Sequence, residues 1–260
     1  MISAMNAAAS GMEAQQTQIE TISNNLANIE TAGFKKSRTE FQDLLYETMQ
    51  EPGAKTSVQT EAPVGIQRGL GVKVSGTQKN FEMGAPQHTK RPFDMMIRGE
   101  GFFMVRMPDG EVGYKRDGAF YKSAAGRLET IEGYPLEPEV VVPVDTKGVQ
   151  ISEDGTVWAF FSHTDRAQIG QVQVASFVNN SGLKSVGKNI FVETPGSGAP
   201  VVTAPGQGTS GTVMQYYLER SNVSPVEEMT NMITAQRAFE MNSKVITTVD
   251  SLMQHTVNLR

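Results

Sequence analysis

The chain has 260 residues, no cysteine and a formal net charge of −5. That length can bury one large core or two modest ones, and the missing cysteine excludes disulfides, thiolate catalysis and cysteine-ligated metals. The 23 Lys and Arg are scattered and outnumbered by 28 acids, so a nucleic-acid partner is not expected.

No uncharged apolar run approaches the ~20 residues that cross a bilayer, so no membrane insertion is expected. The opening Met1-Ile2-Ser3-Ala4-Met5-Asn6 lacks the basic start and long apolar run of a cleaved secretory signal. No Sec-type export is expected from this start.

The first element is a helix. Met5, Met12, Ile19 and Leu26 recur every seven residues, with Ala8, Ile22 and Ile29 three further on, which is a coiled-coil seam. The spacing predicts a helix over about 2–31, interrupted in its seam at Gln15 and ended by a left-handed cap at Ala32-Gly33. Asn24, Asn25 and Asn28 are poor helix formers near its end. They mark either fraying or hydrogen bonds that fix the register of neighbouring helices.

Glu51 to Arg68 is polar and rich in Thr, Gly and Pro, which predicts a long extended loop or loosely paired hairpin. Strands follow over Met95–Val105, Tyr114–Tyr121, Val149–Phe161, Gln171–Val178 and Asn189–Glu193. Asp109-Gly110, Asp117-Gly118 and Asp154-Gly155 supply turns between them, because Asp and Gly tolerate positive φ. Gly99-Glu100-Gly101 reads as a bulge or tight turn, and Pro195 to Gly211 as a second loose stretch.

A second helix is predicted over about 225–258. Ser224 can cap it, Pro225 takes the first helical position, and Glu227 with Glu228 suits the positive helix end. Met232, Phe239, Ile246 and Met253 recur every seven residues beside Ala238, Val245, Leu252 and Leu259. This apolar face is wider than the first, so it should touch more than one neighbour. Two such helices paired with each other still leave apolar face in water, and further copies of the chain are the expected source of the missing burial.

The expected fold class is α+β: a discontinuous helical coiled-coil domain from both termini plus a central, mainly antiparallel β domain. The helical assembly domain takes residues 1–32 and 223–260, a connecting extended region takes 33–70 and 205–222, and the β domain takes 71–204. The assembly interface is expected at Met5, Met12, Ile19, Leu26, Asn25, Asn28, Met232, Phe239, Val245, Ile246, Leu252 and Met253.

No catalytic, cofactor or metal site is expected. His88, His163 and His255 lie in three separate segments without a spaced partner. Gly206-Gln207-Gly208-Thr209-Ser210-Gly211 has the form of a nucleotide fingerprint, but it follows Pro205 and runs into strand-forming residues where the motif needs a helix. Acidic pairs such as Asp94 with Glu100, or Glu137 with Glu139, read as solvated surface. Most of the terminal methionines fall at seam spacing and read as packing residues.

Three motifs carry a resemblance. Ser23-Asn24-Asn25-Leu26-Ala27-Asn28 followed by Thr31-Ala32-Gly33-Phe34-Lys35 is the first, Ile97-Arg98-Gly99-Glu100-Gly101-Phe102-Phe103 the second, and Ser221-Asn222-Val223 through Glu227-Glu228-Met229 to Gln236-Arg237-Ala238-Phe239-Glu240-Met241-Asn242-Ser243-Lys244 the third. In this order they resemble the bacterial flagellar rod and hook family over essentially the whole chain. Phe41-Gln42-Asp43-Leu44-Leu45-Tyr46, the polar stretch after it and Gly69-Leu70-Gly71-Val72 are similar to the distal-rod branch, with a proximal rod subunit as the alternative.

The resemblance implies a homo-oligomeric helical polymer that crosses the periplasm as a hollow tube, transmits motor torque to the hook and forms the export channel. It implies proximal rod proteins, hook protein and the surrounding P- and L-ring proteins as partners, and delivery by the flagellar type III export apparatus without cleavage. A less favoured alternative is an adhesin with multimerising helices, which would need Trp158, Phe160 and Phe161 as an exposed platform. Trp158 to Arg166 also looks longer and more aromatic than the corresponding hairpin of the family.

Overall fold

The computed structural model describes residues 2–52, 64–162 and 165–258. His163, Leu259 and most of the polar stretch 51–68 lie outside them. The chain divides into two compact units, one of Met1–Leu26, Ser37–Gln78 and Ser224–Arg260, the other of Ala27–Lys36 and Lys79–Val223.

In the first unit, α1 (Ile2–Ala27) and α2 (Pro225–Asn258) run side by side in opposite directions. The order of their contacts shows it: a Cβ on Gly11 would lie 2.8 Å from the Asn242 side chain, while Asn25 donates to Glu228 at 3.2 Å. Their covered positions are small or polar, with Ala8, Ala14, Ile22 and Asn25 buried on α1 and Glu228 and Ala235 on α2. The α2 start is as its sequence dictates. Pro225 leads, the Ser224 carbonyl accepts the Glu228 N–H at 3.0 Å, and both acids sit in the first turn.

The α1 helix ends at Ala27, four residues before the expected boundary. Asn28 closes a turn instead: its carbonyl accepts the Thr31 N–H and its side chain the Thr31 hydroxyl, each at 3.2 Å. Gly33 keeps positive φ, +68°, outside the helix. No side chain fits there, because a Cβ would stand 2.5 Å from the Asp117 nitrogen. Also in the first unit, Ser37–Asp43 pairs with Val72–Lys79, and Tyr46–Gln50 pairs antiparallel with Ile66–Gly69 at the base of the polar stretch.

The second unit is β throughout apart from a short 3-10 turn at Asn180–Gly182 and its loops. Its main sheet has seven strands, in the order Lys184–Gly187, Ile190–Val192, Val112–Lys115, Phe102–Arg106, Val174–Ser176 and Val201–Thr203, with Leu136–Glu137 also paired to Phe102–Arg106. All these pairings are antiparallel. The central strand explains its own unbroken apolar run. Alternation sends Phe103 and Val105 into one core with Met95, Ile97, Phe120 and Val174, and Phe102 and Met104 into another with Tyr114, Phe177 and Phe191. A three-stranded antiparallel sheet, Gly148–Ile151, Thr156–Phe160 and Arg166–Gln171, adds to the first core.

One expected strand is corrected. Within Tyr114–Tyr121 only the ends are strand, because Arg116 leaves the ladder to reach Glu219 and Phe120 packs into the apolar core. Val149–Phe161 is two strands joined by the expected turn at Asp154-Gly155, whose Gly155 has φ +78°.

Candidate functional site

The first candidate surface is the outer face of α2. Val226, Met229, Ile233, Met241, Val245 and Leu252 are all exposed, Met241 to 64% and Leu252 to 52%. A helix that packs on α1 through Ala235, Asn242 and Glu228 therefore carries a second apolar stripe that the chain itself leaves uncovered.

Of the expected interface residues, Met5, Met12, Ile19 and Leu26 on α1 and Met232, Ile246 and Met253 on α2 are half-buried, while Phe239, Val245 and Leu252 are exposed. Asn28 belongs to the turn after α1. Asn25 is occupied within the chain: only 2% exposed, it accepts the Ser37 N–H and donates to the Ser37 carbonyl, each at 2.9 Å, as well as to Glu228. Sequence spacing missed Val226, Met229, Ile233 and Met241, since a heptad count follows one seam. The width of the α2 apolar face was the available signal.

A second exposed apolar group lies on the paired strands of the first unit, where Leu45, Tyr46, Met49 and Ile66 are all more than half exposed. Their strands pair only with each other or with a short neighbour, so one face stays open.

The second unit holds a buried charge clamp. Glu219, 1% exposed, receives Lys35 Nζ at 2.6 Å and the Gly84 N–H at 2.8 Å on one carboxylate oxygen, and Arg116 Nε at 2.7 Å on the other. The Glu219 carbonyl accepts the Gly33 N–H at 2.8 Å. Lys35 also donates to the Glu82 carbonyl at 2.6 Å.

Arg116 spends the rest of its fork on the carbonyls of Gly101, Gly99 and Ile97. Gly99 and Gly101, at φ +115° and +128°, allow that loop to turn its carbonyls inward. Beside the clamp, Asn222 accepts the Lys36 N–H at 2.8 Å and donates to the Asn80 carbonyl at 2.9 Å. Lys35 and Asn222 were visible as motif residues, but the Lys35 partner is 184 positions away and no local pattern reveals it.

Burial shifts the titration of this unit. Desolvation lowers the Lys35 pKa, opposed by Glu219 and reinforced by Arg116. Desolvation raises Asp117, against the nearby Lys115. Tyr114 is pushed up to about 12, by burial first and then by the charges of Glu193 and Glu137.

Among the described residues no three His, Asp or Glu side chains gather as a metal site. His88 packs edge-on against Tyr217, ring centres 5.1 Å apart, and His255 is exposed. The glycine string 206–211 ends in the strand Thr212–Gln215, not in a helix. Trp158 and Phe160 are half-buried, and the Arg166 guanidinium stacks 5.0 Å from the Trp158 ring.

Comparison with known proteins shows the family. Residues 5–35 match the family described as flagella basal body rod protein, 96–159 the flagellar hook protein FlgE/F/G D1 domain, and 214–259 the flagellar basal body rod FlgEFG protein C-terminal. The chain is 44% identical to the flagellar basal-body rod protein FlgG of Caulobacter vibrioides over 259 residues, 99% of each chain. The chain belongs to the flagellar basal-body rod family. Proteins of the same description from Agrobacterium fabrum and Bacillus subtilis are 45% and 35% identical, over 96% and all of each chain.

A member of this family related along its whole length to such rod proteins is a structural subunit of the flagellar distal rod, sited in the basal body. The matched segments of the rod family coincide with both helices, the Lys35 end of the clamp and the Ile97–Phe103 loop that Arg116 grips.

Proposed function

We propose that the subunit polymerises through its terminal helices, above all the outer apolar stripe of α2, into a helical tube that carries torque towards the hook and encloses the export channel. The observation that carries this reading is that stripe: six large apolar residues along one helix stay exposed although α2 already packs on α1. Met5, Met12, Ile19, Leu26, Met232, Ile246 and Met253, half-buried in the single chain, complete their burial against neighbouring copies, with Phe239, Val245 and Leu252. Residues of the 51–68 stretch serve as an arm between adjacent subunits, based on the paired strands Tyr46–Gln50 and Ile66–Gly69.

The subunit acts without catalysis, by geometry and stiffness. The clamp suits such work because it ties Gly33–Lys36, where the chain leaves α1, and Glu219–Asn222, which precedes α2, into one β unit. Proximal rod proteins, hook protein, the P- and L-ring proteins and the type III export apparatus are its partners in this reading.

Leu252→Asp tests it. The side chain is 52% exposed in the single chain, so the monomer should keep its unfolding temperature. In the polymer the carboxylate would be buried without a partner, at a cost of about 3–5 kcal/mol at every repeat of the contact. Polymerisation and motility should be lost, whereas His88→Ala leaves both intact. Normal rods from Leu252→Asp would refute the helical interface. Deleting the gene in its host should give basal bodies that stop short of a hook.

A further inference from the structure

The β unit contains a cavity of about 790 Å³ whose chemistry differs from that of the rest of this acidic chain. Lys90, Lys122 and Lys147 stand on its wall, Phe93 and Phe160 contribute its apolar surface, and no acidic residue lines it. Among the described residues, no carboxylate lies within ion-pair distance of any of the three lysines. Lys122 reaches only the Pro143 carbonyl, at 3.0 Å. The buried cations Lys35 and Arg116 are matched by Glu219 and Lys115 by Asp117 and Glu132, whereas Lys90, Lys122 and Lys147 are exposed at the rim of the hollow. Three cations with no ion-pair partner among the described residues, around one hollow, set up a local positive field.

The wall also holds a strained aromatic. Tyr216 has φ +67°, a conformation that bulky residues rarely adopt, yet two backbone hydrogen bonds fix it there. Its N–H donates to the Asp94 carbonyl at 2.9 Å, and its own carbonyl accepts the Thr89 N–H at 2.6 Å. Glycine would take this backbone without strain, so the position holds the ring at a conformational cost. Thr146 Oγ1 is buried at the same cavity and has no hydrogen-bond partner.

We propose that this cavity is a socket for an acidic segment of a second copy of the chain, a contact between β units that runs alongside the helical one. Charge decides the occupant. Copies with a net charge of −5 repel as they pack, and a lysine-lined hollow facing a neighbour's carboxylates offsets that repulsion locally. A basic hollow answered by an acidic patch elsewhere on the same surface is a head-to-tail contact, the kind that propagates into an open helical assembly. The chain has suitable carboxylates, such as Asp109 and Glu111 at the exposed turn after Phe102–Arg106, neither in an ion pair among the described residues. The socket rests on the polymer reading above and names one of its contacts.

The test uses full-length chain polymerised in vitro. Zero-length carbodiimide cross-linking of polymers, mapped by mass spectrometry, should join Lys90, Lys122 or Lys147 to a carboxylate of another copy, and the same product should be missing from dilute monomer. The double variant Lys90→Glu/Lys147→Glu, both positions exposed, should keep the parental unfolding temperature. Its critical concentration should rise about tenfold or more at low salt, and by less as salt is added. Tyr216→Gly should raise it as well, at any salt. Cross-links confined to other lysines, or a charge-reversed chain that polymerises like the parent, would overturn the socket alone. A parent chain that never polymerises would overturn the reading beneath it. Polymerisation unaffected by the variants, with the cavity instead holding an added acidic peptide, would assign the site to a different protein and also refute the proposal.

Discussion

Glu219→Gln is the sharpest perturbation of the β unit. The substitution keeps the shape and one oxygen to accept the Gly84 N–H, but removes the only carboxylate shared by Lys35 and Arg116, which are 1% and 4% exposed. Two cations then remain out of water with no carboxylate to balance them, and the amide NH2 that replaces the second oxygen faces the Arg116 Nε–H it used to accept. Breaking a buried pair in this way costs about 3–5 kcal/mol, a large part of the 5–15 kcal/mol that holds a typical domain together. At about 2–4 °C per kcal/mol for a unit of this size, the unfolding temperature should fall by roughly 6–20 °C. Trp158 is the single tryptophan and lies in this unit, so its fluorescence in a urea titration of the monomer reports the loss as an earlier midpoint with unchanged slope. Adding Lys35→Met to Glu219→Gln should cost less than the two single effects together, because the second change removes a charge that the first left stranded. A midpoint shift worth less than about 1 kcal/mol, or simple additivity, would refute the clamp as a charge-balanced unit.

Tyr114→Phe should protect the same unit against alkali. The folded-state pKa of about 12 lies above the unfolded value of 10, so the folded chain holds that proton longer and stability from this group is complete below pH 10 and lost as pH rises towards 12. The loss is about 2–3 kcal/mol, and urea titrations across that range should show it in the parent and not in the variant. Lys35, whose pKa is lowered, acts in the opposite sense in both proteins and cancels from the comparison. In the helical unit, Asn25→Ala leaves the Ser37 backbone and Glu228 without their buried partner. It should lower helical stability by about 2–4 kcal/mol when followed by circular dichroism, and an effect under 0.5 kcal/mol would show that water replaces the side chain freely (about these sizes per lost buried group).

The helices were legible because a seven-residue repeat, a proline at the first turn and paired acids are local signals. The helix α1 stops four residues short of the end its spacing predicts because Asn28 and Thr31 bond to each other, and a short side-chain turn outcompetes another helical turn. The middle is legible as β, yet the strand expected over Tyr114–Tyr121 is interrupted at Arg116. Arg116 leaves the ladder there to reach Glu219, 103 positions away, and a sequence window contains no trace of that pull. The assembly residues divide in the same manner. Spacing alone picks out the seven-residue rows, but which side of α2 the chain covers depends on α1, about 200 positions earlier, and the structure shows that Glu228 and Ala235 are on the covered side.

That choice of side has a consequence for how the subunit works. The contact between α1 and α2 uses Ala8, Gly11, Ala14, Ala235 and Asn242 and is fixed by the Asn25–Glu228 bond, while Met241, Val245 and Leu252 face out. Small residues bring helices close but release little apolar area from water, so the pair gains register more than burial. The β unit has two apolar cores and a satisfied charge clamp of its own. Damage to the β unit should therefore appear in the monomer, as with Glu219→Gln, whereas damage to the outer α2 stripe should be silent until copies meet. On the proposed reading, such a subunit stays single at low concentration and covers the exposed α2 stripe only when copies meet.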